Sequence, residues 1–262
     1  MPTVVADPLA ALVSRALGRE VEDVAIERVR REEEVAGAET QRIAWRAGAA
    51  TGSLLFRRYP ATAALEPALL PLLARRGAPV PAVFASGVPP RHAAESRPWL
   101  LMQDPGGRAA TRSETSRAVA AARAAIARDH TTLVSLGVPA LSPARIRDEA
   151  LLSEELLEAD EFARVRRLAA EIDLERLGSD DALVHGALDL GNAFAADRGA
   201  VLVGWSRAHF GSPLLDEPGP NRDAQTLATL FAIRWYTWEA REMLRARPRA
   251  ASLVRQALAR YN

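Results

Sequence analysis

One stretch of the chain, residues 185–216, constrains the fold more than any other. It reads HGALDLGNAFAADRGAVLVGWSRAHFGSPLLD. Two of its positions, Ala187 and Gly204, decide most questions about what the chain can do. Around them stand residues whose types and spacing set the pattern: His185, Gly186, Asn192, Trp205, Gly211, Pro213 and Asp216.

This pattern resembles the catalytic core of the aminoglycoside phosphotransferase and choline kinase family, relatives of the protein kinases. There the sequence runs H-G-D-x-x-x-x-N, a short strand hairpin, D-W and then G-x-P-x-x-D. The resemblance spans about residues 20–245 and is most specific within 185–216. It implies an α+β, bilobal protein-kinase-like fold. Residues 1–103 would form a small N-lobe with an N-terminal helix, a five-stranded antiparallel sheet and one main helix, and residues 104–262 a larger, mostly helical C-lobe.

The two aspartates that carry the family's chemistry are replaced in this chain. Phosphoryl transfer depends on positioning and on neutralising charge. One aspartate takes the proton of the acceptor hydroxyl, and the second holds Mg²⁺ together with the asparagine. The resemblance places Ala187 and Gly204 at those positions and Asn192 at the asparagine. A methyl group accepts no proton and glycine offers no side-chain ligand, so we expect a pseudokinase that acts by binding a small molecule or a partner.

An enzymatic alternative rests on Asp189, two positions beyond Ala187. Asp189 could serve as a displaced base or metal ligand, so that an active ATP-dependent small-molecule phosphotransferase would use Asp189 and Asn192. The structural alternative is a loop aspartate that accepts hydrogen bonds from nearby N–H groups. A third hypothesis is an interlobe cleft adapted to another small-molecule ligand or reaction, with Arg57 holding an anion.

The resemblance continues into the third predicted strand, residues 53–59, which matches a family strand ending in K-R-Y-P. Arg57 stands where the family has the lysine that holds the α- and β-phosphates. Alternation along a strand places Arg57 and Tyr59 on the same face. The helix predicted over residues 63–75 offers Glu66 where the family pairs a glutamate with that lysine, so we expect an Arg57–Glu66 ion pair.

The loop that would cover the phosphates, residues 30–40, is unsuited to a triphosphate. It has three consecutive glutamates and a single glycine, whereas a phosphate cradle needs glycines that let backbone N–H groups approach the anion. Backbone groups near Met102 would bind an adenine edge if a nucleotide binds at all. The cofactor is therefore unassigned, ATP and Mg²⁺ are disfavoured, and no metal ligand is predicted.

Local patterns predict the remaining elements. Helical spacing of apolar residues predicts one helix over residues 114–136, with Ser113 as its N-cap. An aromatic stripe over 222–245 predicts a core helix. Runs of β-branched and aromatic residues predict the strands of the sheet at 24–29, 41–46, 53–59, 83–86 and 99–103.

Composition limits the possible partners. The formal net charge is +1 and no continuous apolar run opens the chain, so we expect neither a nucleic-acid nor a membrane partner. The chain has no cysteine, which suits a reducing cytoplasm. All 34 basic residues are arginine, so no lysine can act as a base, a Schiff-base former or a phosphate ligand. The sequence does not indicate an oligomeric state.

Overall fold

The computed structural model describes residues 8–29, 38–60, 63–88, 97–177, 181–188, 191–197, 199–217, 219–242 and 246–260. The chain divides into two compact units. The first comprises Met1–Leu136 with Leu190–Ser206, and the second Gly137–Asp189 with Arg207–Asn262. The domain boundary expected after residue 103 stays a prediction. The phosphate-covering loop expected at residues 30–40 lies largely outside the described residues.

A five-stranded antiparallel sheet forms the centre of the first unit, as predicted. Its strands are numbered in chain order, and the first three are neighbours in sequence order while the fifth lies between the third and the fourth. Helix α1 (Pro8–Leu17) packs on the sheet through Val13, which is fully buried with Ile43 and Leu101. The strands are β1 (Asp23–Val29), β2 (Glu39–Ala47), β3 (Ala50–Arg58), β4 (Val83–Gly87) and β5 (Trp99–Gln103).

Helix α2 (Leu65–Arg75) follows β3 and packs near β4. Its buried face carries Leu69, Leu70 and Leu73, all fully buried, and one charged residue, Glu66. A carboxylate on an otherwise apolar buried face requires a partner, so Glu66 needs a hydrogen-bond donor or a cation on a neighbouring element.

The first unit also contains a short hairpin of β7 (Ala193–Ala196) and β8 (Gly199–Leu202). Ala193 pairs with Leu202 in its register. The Val203 N–H donates to the Asn192 carbonyl over 2.9 Å, which continues the ladder by one step. The hairpin register therefore brings the residue before β7 next to the residues after β8.

The N-cap predicted for the first long helix was wrong. Helix α3 (Arg112–Ala125) is capped by Thr111. Its hydroxyl accepts from the Glu114 N–H over 3.3 Å, and the Glu114 carboxylate accepts from the Thr111 N–H over 2.7 Å. This reciprocal capping box satisfies two backbone donors, whereas a cap at Ser113 would satisfy neither of them.

The single helix predicted over residues 114–136 is two helices. Helix α3 ends at Ala125, and α4 (His130–Ser135) begins after a turn. In that turn the Asp129 carboxylate accepts two hydrogen bonds from the Arg76 guanidinium, at 2.8 and 2.6 Å. A paired, buried carboxylate favours a tertiary contact over continued helix, so packing overrode local propensity.

The second unit is mostly helical. Helix α7 (Arg222–Glu242) is its core element, as its aromatic stripe predicted, and Leu227, Leu230 and Ile233 on it are fully buried. No described helix is long and apolar enough to cross a membrane. The elements are α5 (Pro143–Ala150), α6 (Ala159–Glu171), β6 (Ala182–Val184), β9 (His209–Gly211), which pairs with β6, α7 (Arg222–Glu242) and α8 (Arg247–Arg260).

Candidate functional site

A buried ion pair joins β3 to α2. Arg57 is 5% exposed and Glu66 is not exposed. The Nη1 atom of Arg57 lies 3.1 Å from one carboxylate oxygen of Glu66 and 3.3 Å from the other. The Arg57 guanidinium also lies 5.3 Å from the ring centre of Tyr59, on the same face of β3. The expected Arg57–Glu66 ion pair is therefore present.

Glu66 has a second partner that the sequence did not suggest. The backbone N–H of Gly204 donates to Glu66 Oε1 over 3.1 Å, in a fully buried contact. Glu66 thus joins β3, α2 and the segment that follows β8. Because the bond uses a backbone N–H, no residue type at position 204 could have revealed it.

Gly204 is held in a conformation that only glycine adopts easily. Its φ is +79°, in the left-handed region. A Cβ atom at this position would lie 2.8 Å from Oδ1, 2.9 Å from Cγ and 3.1 Å from Nδ2 of Asn192. The Asn192 amide therefore fills the space that a side chain on residue 204 would enter.

The described residues do not fit a magnesium site of the kind the family resemblance implies. Mg²⁺ prefers carboxylate oxygens in near-octahedral geometry. At position 204 there is no side chain, and the Asn192 amide packs against the Cα atom. Glu66 directs its oxygens to Arg57 and to the Gly204 N–H. Within the described ranges, no three His, Cys, Asp or Glu side chains gather closely enough to hold a metal ion.

Asp216 organises the backbone around His185 in the second unit. Its carboxylate accepts from the His185 N–H over 2.9 Å and from the Gly186 N–H over 3.0 Å. Gly186 has a φ of +75°, and a Cβ there would lie 2.8 Å from the Arg207 carbonyl oxygen. Asp216 therefore braces this backbone. Ala187, the next residue, is 3% exposed.

Met102 lies within β5 and is 1% exposed. It pairs with Leu55 on β3 and with Val83 on β4. Two residues later, Asp104 accepts from Arg42 Nε over 2.7 Å and from the Ser53 hydroxyl over 3.0 Å. Although burial opposes it, the hydrogen bonds lower the pKa of Asp104 below its ordinary value. Its carboxylate thus fixes the end of β5 to β2 and β3, a role the sequence did not predict.

The structure groups some predicted site residues and not others. Arg57, Glu66, Gly204 and Asn192 form one connected cluster in the first unit. Met102 lies in the same unit on β5. Asp189, the candidate displaced base, lies outside the described residues. The binding and catalytic roles of these residues stay predictions.

Comparison with known proteins gives a match by structure only. No protein-family model matches the sequence, and no curated protein matches it. An aminoglycoside phosphotransferase in complex with GDP and kanamycin aligns over 97% of this chain and 96% of its own, with 15% identity and a TM-score of 0.60. A choline/ethanolamine kinase family protein from Mesorhizobium loti aligns over 96% and 92%, with 15% identity and a TM-score of 0.52.

A third neighbour carries an aspartate-to-alanine substitution. It is a thermostable mutant of an aminoglycoside phosphotransferase, in ternary complex with ADP and hygromycin B. It aligns over 97% of this chain and 98% of its own, with 14% identity and a TM-score of 0.55. At such identities the likeness is one of fold, and the predicted resemblance is confirmed at that level. The chain therefore has the α+β, protein-kinase-like fold of the aminoglycoside phosphotransferases and the choline/ethanolamine kinase family proteins.

Proposed function

We propose that this chain is a catalytically degenerate member of the kinase-like fold, a pseudokinase that binds a small molecule or a partner without transferring phosphate. The observation that carries the proposal is the packing of the Asn192 amide against Gly204. A missing carboxylate leaves a gap that water or another ligand can fill. Here the neighbouring side chain has taken that space, and the Gly204 N–H is bound to Glu66.

The second replacement removes a different part of the chemistry. Ala187 has no group that accepts a proton, and loss of a general base lowers the rate of such a step by about 10²–10⁴. Loss of the metal carboxylate acts separately, on neutralising the charge of the phosphates. The two changes together argue more strongly against phosphoryl transfer than either would alone.

Ligand binding is compatible with this loss. The neighbour with an aspartate-to-alanine substitution is in ternary complex with both ADP and hygromycin B. In that protein the change of one aspartate left both ligands bound. This supports a binding function for a chain that lacks catalytic aspartates, and it makes a nucleotide or a hydroxylated amine a reasonable first probe.

The alternative is an active phosphotransferase in which Asp189 and Asn192 do the work. The retained Asn192, one residue before β7, favours it. A transfer assay with γ-labelled ATP and a panel of aminoglycosides separates the two hypotheses. We expect the rate with the protein to equal the rate without it. Transfer that Asp189→Asn abolishes, and that Asp197→Asn in the exposed hairpin turn does not change, would establish the alternative.

The binding half of the proposal needs its own measurement. Native mass spectrometry of the purified protein should reveal an added non-covalent mass that is released on denaturation. A partner function would appear instead as a stable complex with a second protein. The proposal would be contradicted if every preparation showed only the mass of the chain, and if neither ATP, ADP nor any aminoglycoside of the panel raised its thermal stability.

A further inference from the structure

Arg207 is a buried cation in the second unit. The residue is 5% exposed and is the first residue of that unit's second segment. The carbon of its guanidinium lies 5.0 Å from the ring centre of Trp235 and 5.0 Å from that of Tyr236. These are successive residues of α7, so two aromatic rings flank the charged group.

Among the described residues no carboxylate, carbonyl or hydroxyl group pairs with the Arg207 side chain. This sets it apart from Arg57, a buried arginine of the first unit, which is bound to Glu66. The buried carboxylate closest in sequence to the two rings, Glu239, accepts from Trp235 Nε1 over 3.1 Å and makes no ion pair with Arg207. Among the described residues, the guanidinium of Arg207 therefore interacts with these two aromatic rings and with no anionic side chain.

A structural role alone does not explain a buried guanidinium that has two aromatic neighbours and no anionic partner. Arginine does not lose its proton in proteins, so burial cannot neutralise it. Cation–π attraction offsets part of the desolvation of a guanidinium, but a buried charge is normally paired with an anion. None of its nitrogens is both sealed from solvent and without a hydrogen bond. Since no hydrogen bond is present, the small exposed part of Arg207 includes these nitrogens.

We propose that Arg207 anchors a binding site for an oxyanion group, a carboxylate or phosphate carried by a small molecule. The guanidinium fork matches two oxygens of either group. The half-buried rings of Trp235 and Trp238, 5.1 Å apart, give an adjacent aromatic surface for an apolar part of the ligand. The site lies wholly in the second unit and does not depend on the proposed loss of phosphoryl transfer.

The test is an anion titration followed by tryptophan fluorescence and by thermal unfolding. The probes are sodium benzoate, sodium acetate and inorganic phosphate, each balanced with sodium chloride to constant ionic strength. We expect saturable binding, with benzoate tighter than acetate because its ring reaches the tryptophans. A tighter response to phosphate than to benzoate would identify a phosphate-bearing ligand as the source.

Matched variants assign the response to Arg207. Arg207→Met should weaken binding by roughly 10- to 100-fold, the worth of charge-assisted hydrogen bonds. Arg167→Met, at an exposed position on α6, should bind as the wild type does. If Arg207→Met does not fold, Arg207→Lys keeps the charge without the fork and should still weaken binding several-fold.

Two results would overturn the proposal. One is a wild-type protein that gives no saturable response to any of the three anions beyond that to chloride. The other is a response that Arg207→Met, or Arg207→Lys if the first variant does not fold, leaves equal to that of Arg167→Met.

Discussion

Position 204 brings several local contacts of the first unit together at one residue. The backbone of Gly204 has a φ of +79° and donates its N–H to Glu66, while the Asn192 amide covers its Cα atom. The positive φ and the lack of room for a Cβ atom both favour glycine at this position. An aspartate placed here would need a left-handed backbone, would displace Asn192 and would add a second carboxylate beside Glu66.

The first prediction concerns Gly204→Asp. Backbone strain and overpacking should together lower the free energy of unfolding by at least about 2 kcal/mol. Gly77→Asp is the matched control, because Gly77 has a φ of +75° and open space around its Cβ position. The control should lose only about 1 kcal/mol, from the backbone alone. Urea denaturation measures both, and equal losses would mean that Asn192 does not crowd position 204.

The second prediction concerns the buried ion pair. Arg57→Met leaves the Glu66 carboxylate buried without a cation and should lower the free energy of unfolding by about 3–5 kcal/mol. The double variant Arg57→Met/Glu66→Gln should recover most of this loss, since the neutral amide still accepts from Gly204. Arg58→Met, on the exposed face of β3, should change stability by less than about 0.5 kcal/mol. A double variant no more stable than Arg57→Met would contradict this account.

At the scale of elements, β9 contains a buried histidine with one sealed nitrogen. His209 is not exposed, and its ring stacks on Phe231 at 4.8 Å. Its Nδ1–H donates to the Arg207 carbonyl over 2.9 Å. Its Nε2 is buried and has no hydrogen-bond partner among the described residues. Burial is the main cause that lowers the pKa of His209 from 6.5 to about 4, and the nearby Arg234 lowers it further. The Arg207 carbonyl and Asp216 act in the opposite direction and raise the pKa.

The third prediction follows from that pKa. Between pH 6.5 and about 4 the unfolded chain takes up a proton that the folded chain does not. Stability should therefore fall as the pH falls through this window, by about 3 kcal/mol for this group alone. His209→Phe should remove that component of the pH dependence, whereas His130→Gln, at an exposed histidine, should retain it. Urea midpoints across the window provide the measurement, and identical slopes for wild type and His209→Phe would contradict it.

The elements show what sequence could and could not predict. Strand alternation was enough to place Arg57 and Tyr59 on one face of β3, because the period of a strand is fixed by its geometry. The sequence contains the Thr111–Glu114 capping box as a T-x-x-E motif, but the prediction placed the N-cap at Ser113. The local sequence did not predict the break before α4, because that break depends on a contact between Asp129 and Arg76. The two residues are more than fifty positions apart in the chain. The sequence did not predict the Glu66–Gly204 hydrogen bond either, because its donor is a backbone N–H, which nearly every residue type has.

At the scale of the whole molecule, residues of the family pattern brace the backbone of this kinase-like fold. Asp216 still binds the backbone at His185 and Gly186, and the hairpin register still brings Asn192 beside position 204. Fold and activity are separable properties, and here the fold is the one that is shown.

The most direct test of the central claim is calorimetric titration of the protein with ATP, once with magnesium and once with EDTA. The account predicts that magnesium makes no difference to the isotherm, whether or not ATP itself binds, because the Asn192 amide covers Gly204 where a metal carboxylate would stand. Submillimolar binding of ATP that requires magnesium would contradict the account.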